Sequence, residues 1–129
     1  MGLVFYGLSQ CQAGEKMKIL ETIITIGELK QIAQNKFGDL VKAVVDIDRN
    51  LIAIDGELHS DLEALLLVSG SKQNSLWGFN FYPDIKDDDF IEFDSMINFR
   101  PSQGNMSRGI DSQDIQRKII SVIDKWVKR

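Results

Sequence analysis

The hydrophobic positions along this chain change period several times, and each change marks an element. Ile19 to Ile24 is an apolar, β-branched run with the character of an edge strand. Thr25-Ile26-Gly27-Glu28 has capping-box spacing: a hydroxyl accepts an amide proton and the carboxylate three residues on reaches back to the cap. Leu29, Ile32, Ala33 and Phe37 then recur at helical spacing, and Gly38 is a natural left-handed stop. A helix is predicted there.

Leu40 to Ile47 and Leu51 to Asp55 are β-rich runs separated by the polar turn Asp48-Arg49-Asn50. Val41, Ala43, Val45 and Ile47 share one face and Val44 adds apolar area to the other, which suits central strands. Ser60-Asp61-Leu62-Glu63 repeats the capping-box spacing ahead of Leu62, Leu65 and Leu66, so a short helix ending before Gly70 is expected, with a strand as the alternative. Ser69 to Ser75 reads as a polar loop.

Leu76 to Tyr82 alternates, with Trp77, Phe79 and Phe81 opposite Gly78, Asn80 and Tyr82. Ile91 to Arg100 alternates in the same way, with Ile91, Phe93, Ile97 and Phe99 opposite Glu92, Asp94, Asn98 and Arg100. With the acidic loop Pro83 to Asp89 between them, these two runs predict an antiparallel hairpin with one wet face. Pro101 to Ile110 reads as a loop. Asp111 or Ser112 then caps a final helix striped by Ile115, Ile119, Ile123 and Trp126. Strands interrupted by helices without regular βαβ alternation predict an α+β fold, a mainly antiparallel sheet of about four to five strands with two or three helices packed on one face.

Composition narrows the class. A length of 129 residues suits a single domain, and 43% hydrophobic with 26% charged residues is ordinary globular usage. Residues 1–16 are read as a loosely ordered extension, because Leu3 to Leu8 is a brief apolar run with neither a basic flank nor a small-x-small cleavage site. The working domain is placed at 17–129. One Cys and one His cannot build a finger-type zinc cluster, and Cys11 has no internal disulfide partner. With no apolar stretch of membrane-spanning length, a cytoplasmic location is expected, without a membrane partner. The net charge of −4 offers no broad field for a phosphate backbone, so no nucleic-acid partner is expected. The basic end of the last helix, Arg117, Lys118, Lys125, Lys128 and Arg129, is accounted for by the helix dipole.

Lys42-Ala43-Val44-Val45-Asp46, Gly56-Glu57-Leu58-His59, Glu63 to Leu67, Leu76-Trp77-Gly78 and above all Ile97 to Ser107 carry a resemblance. In these stretches the chain, from about Met17 to its C-terminus, resembles a family of short uncharacterised bacterial and archaeal proteins of unknown function. The resemblance implies a stand-alone cytoplasmic domain and transfers no catalytic residue.

Two constellations could carry chemistry. Glu57, His59, Asp61 and Glu63, with Asp46 on the preceding hairpin, are of the types that hold Mg²⁺ or Mn²⁺. Within them His59, Glu57 and Asp61 are the candidates for acid–base work. The same pattern also describes a helix start whose acids face the positive dipole end. The second constellation is the wet side of the late hairpin with its loop. Asn98, Arg100, Gln103, Asn105, Ser107 and Arg108, beside Asn80 and Tyr82, are rich in donors, and a guanidinium clamps phosphate or carboxylate well. Loops of this composition also satisfy their own backbone. No His-Glu-x-x-His or Gly-x-Ser-x-Gly motif occurs, and Asp84 to Asp89 lacks calcium-loop spacing. The readings that follow are a ligand-binding domain or small enzyme acting on an anionic small molecule, with no cofactor beyond a weak divalent metal, or a non-catalytic interaction domain, for instance a homodimer. A cleft shared by His59 and the arginine loop would favour the first.

Overall fold

A computed structural model describes residues 17–129, so the expectation for residues 1–16 lies outside the described residues. The elements are β1 (Lys18–Ile19), β2 (Ile24–Thr25), α1 (Ile26–Asn35), β3 (Val41–Asp46), β4 (Leu51–Ile54), α2 (His59–Val68), β5 (Leu76–Phe81), β6 (Ile91–Glu92), α3 (Gln113–Trp126) and β7 (Val127–Lys128). Five strands form an antiparallel sheet in the order β1-β4-β3-β5-β6, and β2 pairs in parallel with β7. This is the expected α+β class.

The sheet has two apolar faces. Val41, Ala43, Val45, Ile52, Ile54, Trp77, Phe79 and Phe81 point to one side, where they meet Leu29 and Ala33 of α1 and Ile119, Val122 and Ile123 of α3. Two helices therefore share one face, as the pattern predicts. The third covers the other: Leu62 and Leu66 of α2 pack on Val44, Ala53 and Leu76. The aromatic row of β5 is core, with Phe79 and Phe81 in edge-to-face contact at 4.9 Å between ring centroids.

Local chemistry sets several boundaries. The Thr25 hydroxyl accepts from Glu28 N at 3.1 Å and Glu28 Oε1 accepts from Thr25 N at 2.9 Å, so the first capping box closes α1 as expected. Gly38 turns with φ 96° after α1. Ser112, not Asp111, caps α3 through a bond from Ile115 N at 3.2 Å. The second capping box does not form. α2 starts at His59, and its N-cap is Leu58, which has no side-chain acceptor. Lys36 ties down the chain just ahead of that start. Its ammonium bonds Asp55 O at 3.0 Å and sits 3.2 Å from the Asp55 carboxylate, holding Asp55 at φ 70°. Gly56 follows, where an added Cβ would lie 2.8 Å from Leu62 Cγ. Chain direction and close packing thus bring α2 onto the sheet two residues earlier than its Ser-x-x-Glu signature suggests.

The largest departure from the pattern is at Ile91 to Arg100. Only Ile91 and Glu92 are strand. Ser95 Oγ accepts from Ile97 N and caps a 3-10 turn at Met96–Asn98, which ends the period of two. The expected polar face is reversed: Asn98 and Arg100 are buried, whereas Phe99 is 50% exposed. The Ile19 to Ile24 run is also divided, between the edge strand β1 and the separate β2. No helix among the described residues is long and apolar enough to cross a membrane.

Candidate functional site

α2 covers only part of its side of the sheet. Beyond Val44 and Gly78 the next cross-strand row is polar: Lys42 on β3 pairs with Asn80 on β5, which pairs with Glu92 on β6. Over this row lies a cleft of about 390 Å³. Leu58, His59 and Ser60 at the start of α2 form one wall, and Asp94 to Ile97 with Arg108 form the other. The cleft is within the size of small-molecule sites.

His59 sits at the join. Its Nε2 lies 2.9 Å from Phe79 O. A carbonyl only accepts, so Nε2 carries the proton and, in the neutral ring, Nδ1 has the lone pair. Burial lowers the imidazole's pKa, the Phe79 carbonyl opposes that, Lys42 reinforces it, and Asn80 and Asp94 oppose it further. Lys42 Nζ donates to Glu57 O at 3.0 Å, which brings its charge to the open end of α2. There the backbone amides of the first turn have no side-chain cap.

Asn80 is 6% exposed, and its orientation is decided by its neighbours. Nδ2 faces two acceptors, Glu92 Oε1 at 3.0 Å and Asp94 O at 3.5 Å. Reversing the amide would set oxygen against oxygen at both. Oδ1 is consequently left buried and without a hydrogen-bond partner among the described residues. Tyr82 OH also donates to Glu92 Oε1, at 3.1 Å. Burial, this bond and the Glu92 charge raise the Tyr82 pKa.

The arginine loop does not enter the cleft as a unit. Asn98 is fully buried: Oδ1 accepts from Gly78 N at 2.8 Å, and Nδ2 donates to Gly78 O and Arg108 O at 2.9 and 3.0 Å. Arg100 donates to Ile97 O at 2.9 Å, Gln73 O at 3.0 Å, Gln103 Oε1 at 3.3 Å and Leu76 O. It lies 3.6 Å from Glu63 Oε2 and 4.7 Å above the Trp77 ring centroid. Desolvation lowers the Arg100 pKa while Glu63 opposes. Gln103 Nε2 donates to Asn74 O. Asn105 gathers the Asn98, Ser107 and Gly109 carbonyls on Nδ2. Ser107 Oγ donates to Asp111 Oδ1, and the Met106 amide together with this bond lowers the Asp111 pKa. Arg108 is the member that lines the cleft, with Nε on Asp94 Oδ1 at 2.8 Å.

The candidate metal ligands are dispersed. Asp46 accepts from the Asp48 and Arg49 amides and from Ser71 Oγ, bracing the β3–β4 turn. Glu57 and Asp61 are exposed, Glu63 faces Arg100, and His59 is held by a backbone carbonyl. Among the described residues no three His, Cys, Asp or Glu side chains converge on a point. The imidazole is oriented by Phe79, not by Glu57 or Asp61. The two constellations therefore touch at the Arg100–Glu63 ion pair and share the cleft only through His59 and Arg108. Lys42 was not among the residues the sequence singled out, and its signal was the lone cation of a mostly apolar β-run.

Fold and site together define an α+β domain whose antiparallel sheet is covered by helices on both faces, with a polar cleft where α2 stops short. The chain belongs to the family described as Protein of unknown function (DUF5674), whose model matches residues 18–126. No curated protein and no solved structure matches it.

Proposed function

We propose that this domain binds a small molecule carrying an anionic group, in the cleft between the start of α2 and the Asp94–Ile97 wall. The observation that carries this reading is the uncapped first turn of α2 beside Lys42, since helix-end amides and an ammonium together attract an anion. The unpartnered Asn80 Oδ1 in the same cleft supports it, because buried polar groups ordinarily find partners. Arg108, paired with Asp94, stands at the opposite wall. Asn98, Arg100, Gln103, Asn105 and Ser107 serve the site by bracing its wall. A catalytic version gives His59 the role of base through Nδ1, with burial keeping the ring neutral.

A second reading has a specific observation behind it. Leu58 and Met96, 55% and 67% exposed, stand on opposite rims of the cleft and could receive an apolar surface of a protein partner. Amide-resolved titration with butyrate and with inorganic phosphate decides between the two. Shifts confined to Lys42, His59, Ser60 and Arg108, lost in Lys42→Met, are expected. Shifts confined to the Arg100–Asn105 loop, or none with either anion, would overturn the ligand reading.

A further inference from the structure

The charges along the cleft floor are not mixed at random. Lys42, Asn80 and Glu92 are cross-strand neighbours in one row, so the sign of charge changes from cation to neutral amide to anion across three adjacent strands. Three strands span about 10 Å between the outer Cα atoms. At the β3 end, Lys42 Nζ lies against Glu57 O, under the uncapped start of α2, so cation and helix end are both positive there, with the exposed Asp61 carboxylate of the first turn offsetting part of that field. At the β6 end, Tyr82 OH and Asn80 Nδ2 converge on a single oxygen of Glu92, Oε1. The other oxygen, Oε2, receives no bond among the described residues and is left to accept. Asp94 on the same wall is ion-paired to Arg108 at 2.8 Å, so Glu92 is the anion there that has no ion-pair partner among the described residues. Between the two ends lies Asn80 Oδ1, an acceptor with no donor while the His59 ring is neutral.

A purely anionic ligand satisfies the β3 end only and meets repulsion from Glu92. A purely cationic one does the reverse. We infer that the ligand is a small zwitterion, a carboxylate and an ammonium separated by a short chain. Its carboxylate lies at Lys42 and the first turn of α2, and its ammonium at Glu92 Oε2 and Asn80 Oδ1. This rests on the anion-binding reading above and deepens it. The ammonium's N–H groups supply the donors that Glu92 Oε2 and Asn80 Oδ1 lack, and an ammonium–carboxylate bond is the stronger, charge-assisted kind. The volume of about 390 Å³ admits such a molecule with a few waters.

The test is a matched set of probes titrated into the intact chain at low salt: 4-aminobutyrate, butyrate and butylamine. 4-Aminobutyrate should bind at least about tenfold more tightly than either analogue, the ratio expected for one charge-assisted hydrogen bond. Its amide shifts should cover Lys42, Ser60, Asn80 and Glu92 together. In Glu92→Gln, an exposed position, the preference over butyrate should fall below about twofold while butyrate binding persists. Equal binding of butyrate and 4-aminobutyrate by the wild type would overturn the zwitterion and leave the anion site standing. Butylamine binding alone, or no binding by any of the three, would overturn both.

Discussion

The carboxamide of Asn98 takes the place of a neighbouring strand beside Gly78, accepting from Gly78 N at 2.8 Å and donating to Gly78 O at 2.9 Å. β6 ends at Glu92, so this edge of β5 would otherwise be unpaired in a dry environment. Asn98→Ala removes both bonds and orphans two buried backbone groups, which predicts a loss of about 2–4 kcal/mol in urea unfolding. Asn98→Asp should not restore stability, because it sets a carboxylate oxygen against the Gly78 and Arg108 carbonyls. Recovery in the Asp variant would mean that the amide's donor side is dispensable.

The two Ser/Thr-x-x-Glu signatures should behave differently. Thr25→Ala breaks a closed capping box and is expected to cost about 0.5–2 kcal/mol. Ser60→Ala removes no cap and should stay within about 0.5 kcal/mol of the wild type. Equal losses in parallel melts would contradict the assignment of Leu58 as N-cap.

Arg100 is expected to act on stability rather than on binding. Its guanidinium satisfies three backbone carbonyls and faces Glu63, so Arg100→Ala should lose about 1–3 kcal/mol. Arg100→Lys should recover little, since an ammonium cannot reproduce the planar fork. Melts with and without phosphate check this. A variant of wild-type stability that has lost an anion-dependent gain would return Arg100 to the ligand site.

His59 predicts the sign of a pH dependence. Its pKa is lowered in the folded chain below the ordinary 6.5, chiefly by burial. As pH falls through about 6.5 the unfolded chain takes up the proton first, so the unfolded state binds more protons and stability drops toward the lowered native pKa. Above that window the contribution is fully present. His59→Gln should flatten this part of the curve in unfolding measured from pH 7.5 down to 5. An imidazole ¹⁵N spectrum at pH 7 should show a neutral ring protonated at Nε2, and a charged ring would sink the prediction.

Much of this protein was determined by the sequence alone, wherever the physics is local. Alternation at Val41, Ala43 and Val45 and at Trp77, Phe79 and Phe81 specifies which side chains are buried together, because strand geometry imposes a period of two on any sheet. Thr25 and Glu28 lie three residues apart and close their box without help. Asn98, Arg100 and Arg108 were visible as a donor-rich group, but not their roles. Tertiary structure decided those, since a polar side chain takes the partners that packing brings to it. Gly78 and Leu76 lie 20 and 24 residues before the groups they bond, and no period in the chain encodes that meeting. The same holds for the start of α2, where Lys36, Asp55 and Gly56 override a local signature. It holds also for the cleft floor, where Lys42, Asn80 and Glu92 become neighbours only through strand register.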